Sequence, residues 1–118
     1  MASTYSLRTS GKIERSNSHE IDYLTHFDTF ISLTQLQDLE LKLSPSGSYT
    51  VTGITSIKEL TLMPAGGSTV NLTINAGNGD YTMACNSLVL LRGISLSNVQ
   101  LANPSSSSSV SARLIVGG

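Results

Sequence analysis

Along most of this chain hydrophobic and polar positions alternate with a period of two, the spacing of half-buried strands rather than helices. In "EIDYLTHFDTFISL" the odd positions Ile21, Tyr23, Phe27, Ile31 and Leu33 are apolar, while Asp22, His26, Asp28 and Ser32 fall between them. Leu24 and Phe30 break the alternation, so the segment predicts one strand, or two with a bend near Asp28. "LTQLQDLEL" allows a helix over part of Leu33–Leu41. The alternation of Leu39, Leu41 and Leu43 with Asp38, Glu40 and Lys42, followed by "SPSG", favours a strand.

Downstream the pattern stays β. Tyr49 and Val51 alternate with Ser48, Thr50 and Thr52 up to Gly53. "SIKELTLMP" puts Leu60 and Leu62 on one face and stops at Pro64, and "PAGGS" is a turn. Val70, Leu72 and Ile74 alternate with Thr69, Asn71, Thr73 and Asn75 in the cleanest strand, which ends in the turn cluster "NAGNGD". "YTMACNSLVLL" predicts a strand or a strand pair, and Gly93 a bend or bulge. "SLSNVQLA" and "SVSARLIV" complete the set, the second with Val110, Ala112, Leu114 and Val116 on one face.

About eight short strands separated by turn signals, with no strong helix, predict an all-β fold: a jelly-roll-like antiparallel β-sandwich. Residues 1–18 are polar with little periodicity, apart from a possible short strand at "TYSLRT". They form an N-terminal arm, either a loose terminus or a segment that clasps a neighbour, and residues 19–118 form the sandwich. Between the last two strands lie Asn103, Pro104 and the run Ser105–Ser109. A lone apolar strand beyond a disordered linker would be an aggregation hazard. The expectation is therefore a hairpin in which the serines are a tolerant loop tip and the last strand pairs back into the core.

Composition narrows the function more than it names it. Only 13% of the residues are charged and the formal net charge is −1, which gives no electrostatic footprint for nucleic acid or a membrane surface. The N-terminal residues lack the apolar stretch of a signal peptide, and no apolar run approaches the ~20 residues of a membrane-spanning helix. The expectation is a soluble protein without an export signal. Ser and Thr supply roughly a quarter of the chain, so strand faces are neutral rather than guarded by charge. Such a surface suits a protein that is covered in its working state.

The candidate chemistry is thin. His19, Asp22, His26 and Asp28 are the one cluster of possible metal ligands, and the single Cys85 adds no second thiol. A metal site needs about four converging ligands, so a polar strand face is the expected role. Asp38 and Glu40 alternate with leucines as a solvated face does. No G-x-S-x-G occurs, the glycine-rich turns lack a following Gly-Lys-Ser/Thr, and "NGD" near Asn78 lacks the spaced acids of a calcium loop. "NLT" at Asn71 matches a glycosylation acceptor but lies inside a strand. The expectation is no enzyme: no catalytic residue, cofactor or metal, and no small-molecule substrate.

From Lys58 onward the succession "LTLMP", "STVNLTIN", "SLVLLRG" and "ISLSNVQLANPSSSSSVSARLIVGG" resembles small β-sandwich structural proteins of tailed bacteriophages, most of all capsid decoration (cement) proteins. The resemblance covers about the last half of the chain. It implies a jelly-roll-like domain, made in the host cytoplasm, that forms homotrimers on the outer surface of the head. There it would bind the major capsid protein and stabilise the shell, with the N-terminal arm as a clasp. Two alternatives stand beside it: a tail, baseplate or fibre-base protein of the virion, and a carbohydrate-binding β-sandwich module.

Overall fold

In a computed structural model the backbone is described for residues 4–16 and 21–118, and side chains for 4–11 and 28–118. Among the described residues ten strands follow one another: β1 (Tyr5–Ser16), β2 (Ile21–Leu33), β3 (Leu36–Leu43), β4 (Ser48–Thr50), β5 (Ile57–Pro64), β6 (Val70–Asn75), β7 (Asp80–Cys85), β8 (Val89–Leu96), β9 (Asn98–Ala102) and β10 (Val110–Gly117). Leu33–Leu41, part of which allowed a helix, contains no helix: β2 ends at Leu33 and β3 begins at Leu36.

Strands β3 to β10 form two four-stranded antiparallel sheets, ordered β3-β10-β5-β8 and β4-β9-β6-β7. The pairs β3–β10, β4–β9, β5–β8 and β6–β7 are those of one long hairpin folded at the β6–β7 turn. Pairing of β10 with β5 and of β9 with β6 wraps that hairpin round on itself. This winding is a jelly roll. The sandwich thus has eight strands, and β2, one of the strands expected in it, pairs with β1 in a separate two-stranded ribbon.

Period-two alternation explains the core. Leu60, Leu62, Leu114 and Val116 point inward from one sheet and Val70, Leu72, Val99 and Leu101 from the other, all of them fully buried. Each such side chain contributes about 1.5–3 kcal/mol on burial. "YTMACNSLVLL" is a strand pair whose members, β7 and β8, lie in different sheets. Gly93 has φ 74° and sits where the β5–β8 register slips, between the pairs Ile57–Leu96 and Glu59–Arg92. An L-side chain there would be strained.

The last connection corrects one expectation. β9 and β10 do not pair: β9 lies between β4 and β6, and β10 between β3 and β5. The serine run crosses from one sheet to the other, because a jelly roll places consecutive strands in opposite sheets here. Nor is the run merely a tolerant tip. Asn103, 4% exposed, donates from Nδ2 to the carbonyls of Leu43 (3.2 Å), Ser44 (3.1 Å) and Ser108 (2.7 Å), and its Oδ1 accepts from the Ser105 amide. The Ser105 hydroxyl accepts from the amides of Ser107 and Ser108, and the Ser46 amide donates to the Ser105 carbonyl. One buried amide therefore ties the crossover to the end of β3.

The expected arm is more ordered than its sequence suggested. β1 extends well beyond "TYSLRT" and pairs with β2 through twelve positions, from Tyr5–Leu33 to Ser16–Ile21, with a bulge at Leu24. β2, read from the sequence as part of the sandwich, belongs to this ribbon instead. The boundary between residues 18 and 19 lies outside the described residues. A ribbon of this length spans about 40 Å. The radius of gyration, 16.0 Å, accordingly exceeds the about 13–14 Å of a compact chain of this size.

Candidate interaction surface

The ribbon is fixed to the sandwich at its base and along its first turns. At the base, Leu33 is 1% exposed and packs where Gly117 leaves room: a Cβ on Gly117 would collide with the Leu33 side chain and the Gln35 carbonyl. The amides of Thr34 and Gln35 both donate to the Gly118 carbonyl at 2.9 Å, and the Gly118 amide returns a bond to Gln35.

Further along, a latch joins the ribbon to the β3-β10-β5-β8 sheet. Glu59 of β5 and Arg92 of β8 are directly opposite in the ladder. Their side chains lie on the outer face, away from Leu60 and Leu91, yet Glu59 is fully buried. Arg92 Nε donates to Glu59 Oε2 at 2.6 Å, and the Thr61 hydroxyl donates to Oε1 at 2.5 Å. The other guanidinium nitrogens reach the ribbon, at the Thr29 carbonyl (3.0 Å), the Thr29 hydroxyl (2.8 Å) and the Thr9 hydroxyl (2.9 Å). A buried carboxylate is tolerable only when paired and hydrogen-bonded, and this one is. Thr9 and Thr29 are opposite each other at the fifth of the twelve ribbon pairs. Seven pairs, about 23 Å of ribbon, lie beyond the latch.

The two outer faces of the sandwich differ. On the β3-β10-β5-β8 sheet, Arg113 bridges Asp38 at 3.0 and 2.7 Å, holding its carboxyl below the usual carboxylate range. Beside them an open depression of about 480 Å³ is lined by Glu40, Lys42, Met63 and Arg113 among others. The β4-β9-β6-β7 face is almost uncharged. Its register sets Thr50, Gln100, Thr73 and Thr82 in one row across four strands, with Ser48, Ala102, Asn71 and Ala84 in the next. Thr73 and Thr82 share a hydroxyl hydrogen bond of 2.7 Å. At one end of the sandwich a second depression, about 210 Å³, is lined by Thr55, Ser56, Ser95 and Ser97 with Ala76, Gly77 and Leu96.

Of the candidate ligand cluster, His19 and the side chains of Asp22 and His26 lie outside the described residues. Asp28 is engaged by Arg8, whose Nε donates to it at 2.8 Å. Among the described residues no three His, Cys, Asp or Glu side chains gather as a metal site. Burial raises the Cys85 thiol above its ordinary range, opposed more weakly by a hydrogen bond with the Leu72 backbone. A thiol so placed is a poor nucleophile. Asn71 sits in β6, between two neighbouring strands. Glu59, Arg92 and Asn103 carry the arrangement, and the sequence reading passed over them. The available signal was the single acid of "SIKELTLMP" and the single base of "SLVLLRG".

These features define a class: a jelly-roll domain with a latched two-stranded ribbon and a neutral, hydroxyl-rich sheet face. No known family model and no curated protein matches the chain in sequence.

Proposed function

We propose that this chain is a non-enzymatic structural protein of a bacteriophage virion, a decoration protein that binds the major capsid protein on the outside of the head and stabilises the shell. The observation that carries the reading is the ribbon: about 23 Å of paired backbone beyond a buried ion-pair latch is an arm long enough to reach across a neighbouring subunit. The neutral β4-β9-β6-β7 face supports it, because hydroxyls and amides make many modest hydrogen bonds across wet contacts, each worth about 0.5–1.5 kcal/mol. Repeated over a lattice, weak contacts sum to strong attachment.

The test is rebinding to expanded capsids that lack the protein. Added protein should bind and raise their resistance to heat. A variant in which residues 11–27 are replaced by Asn-Gly joins the opposite residues Ser10 and Asp28, keeps the latch, and should fold but bind at least tenfold more weakly. Absence of binding by the full chain refutes the reading. The hydroxyl-lined depression at Ser56 and Ser95 favours a second reading, a carbohydrate-binding module, which predicts glycan-array signals lost on Ser95→Leu.

A further inference from the structure

An edge strand presents unpaired N–H and C=O groups to any other chain, and sandwiches ordinarily guard such edges. Three of the four outer strands of this sandwich are guarded, each by a different device. β3 carries Asp38, Glu40 and Lys42. β4 is three residues long. β8 is bent at Gly93, and its Arg92 is bonded to the ribbon. The fourth, β7, has one charge, Asp80 at its first position, and is neither short nor bent. Its six residues pair with β6 without a register shift, and no charged residue occurs from Tyr81 to Leu91.

We propose that β7 is a docking edge for the β7 of a second copy, the two strands running antiparallel about a two-fold axis at Thr82. Directly opposite residues in an antiparallel pair share a face, so the register is constrained. With Thr82 opposite its own copy, Tyr81 faces Met83 and Asp80 faces Ala84. Tyr81 lies on the core-facing side, since it pairs with Ile74 next to the buried Leu72, yet it is 66% exposed. Met83 is only partly buried. The two-fold contact covers both, in a sulfur–aromatic pairing. Asp80 meets Ala84 rather than its own copy, so like charges stay apart. The threonine row then continues through both molecules as an eight-stranded sheet. Sliding the pair by two residues would set Tyr81 against Cys85, which is already 5% exposed and offers nothing to cover. Such an isologous contact closes on itself and needs no third chain.

The inference stands apart from the virion reading, and sedimentation equilibrium of the purified full chain tests it. Wild type should sediment as a dimer or, if trimers also form, as a hexamer. Thr82→Lys, which sets two lysines face to face at an exposed position, should halve that mass. Ala84→Lys should leave it unchanged, because the new lysine meets Asp80 of the other copy, whereas Ala84→Asp should weaken association at least tenfold. Circular dichroism establishes that each variant is folded. A wild-type monomer or closed trimer overturns the proposal, as does equal loss of association in Ala84→Lys and Thr82→Lys; either result leaves capsid binding to be judged by its own assay.

Discussion

Replacing Arg92 with alanine isolates the contribution of the latch. In the wild type Glu59 is fully buried and its two carboxylate oxygens are met by Arg92 and Thr61. The Arg92 side chain itself is only 12% exposed, so solvent screens the pair weakly. Taking away the guanidinium leaves a buried carboxylate with a single hydroxyl partner, a loss of about 3–5 kcal/mol. For a chain of this length the unfolding entropy is about 0.25 kcal/mol per degree, so the melting temperature should fall by about 12–20 °C. Glu59→Met combined with Arg92→Met removes both charges and refills the space, and should return to within about 1 kcal/mol of wild type. The same double variant lacks the bonds to Thr9 and Thr29, so trypsin should cut at Arg8, Lys12 and Arg15 faster than in wild type even though the sandwich melts normally. Thermal melts followed by circular dichroism, with limited proteolysis at 25 °C, supply both readouts. A fall of less than about 4 °C for Arg92→Ala, equivalent to about 1 kcal/mol, would refute the reasoning, since Glu59 would then have water to replace its partner.

Other outcomes follow from the same geometry. Asn103→Ala orphans the carbonyls of Leu43 and Ser44 and should lower stability by about 2–4 kcal/mol in urea unfolding, whereas three serines inserted after Ser106 should cost less than about 1 kcal/mol. Truncation after Ser109 removes β10 from between β3 and β5, with Val110, Leu114 and Val116 worth about 1.5–3 kcal/mol each, and should abolish the β-sheet circular dichroism signal. Asp38 has a folded-state pKa below its ordinary value because Arg113 is hydrogen-bonded to it. Its stabilisation is therefore present above the ordinary value of 3.8 and lost as pH falls through the lower folded value. Asp38→Asn should melt slightly below wild type at pH 7, and the difference should vanish toward pH 2.

The strands were legible because each needs only its own residues. Alternation at Leu60 and Leu62, or at Val70, Leu72 and Ile74, states which side chains face inward before any partner is known. The breaks at Pro64, Gly93 and Asn103 likewise lie where the chain turns or bends. The ribbon was half legible: β2 has the right pattern, but β1 has almost none, since a two-stranded element with no sheet packed on its whole length does not impose strict alternation. Its polar sequence reads as an unstructured arm until β2 is seen to pair with it.

What the tertiary structure alone decided is which strands meet. Alternation is the same whether β10 pairs with β9 or inserts between β3 and β5, so the sequence supported a hairpin where the chain makes a crossover. The roles of Glu59, Arg92 and Asn103 were hidden for the same reason. A lone acid on one strand and a lone base thirty-three residues later become a buried pair only when the register sets them side by side. One asparagine among serines becomes a structural tie only when β3 ends beside it. Local sequence fixes the direction each side chain faces, because that depends on backbone period. Partnership depends on long-range pairing, and in a jelly roll the chain returns to its neighbours only after most of it has been wound.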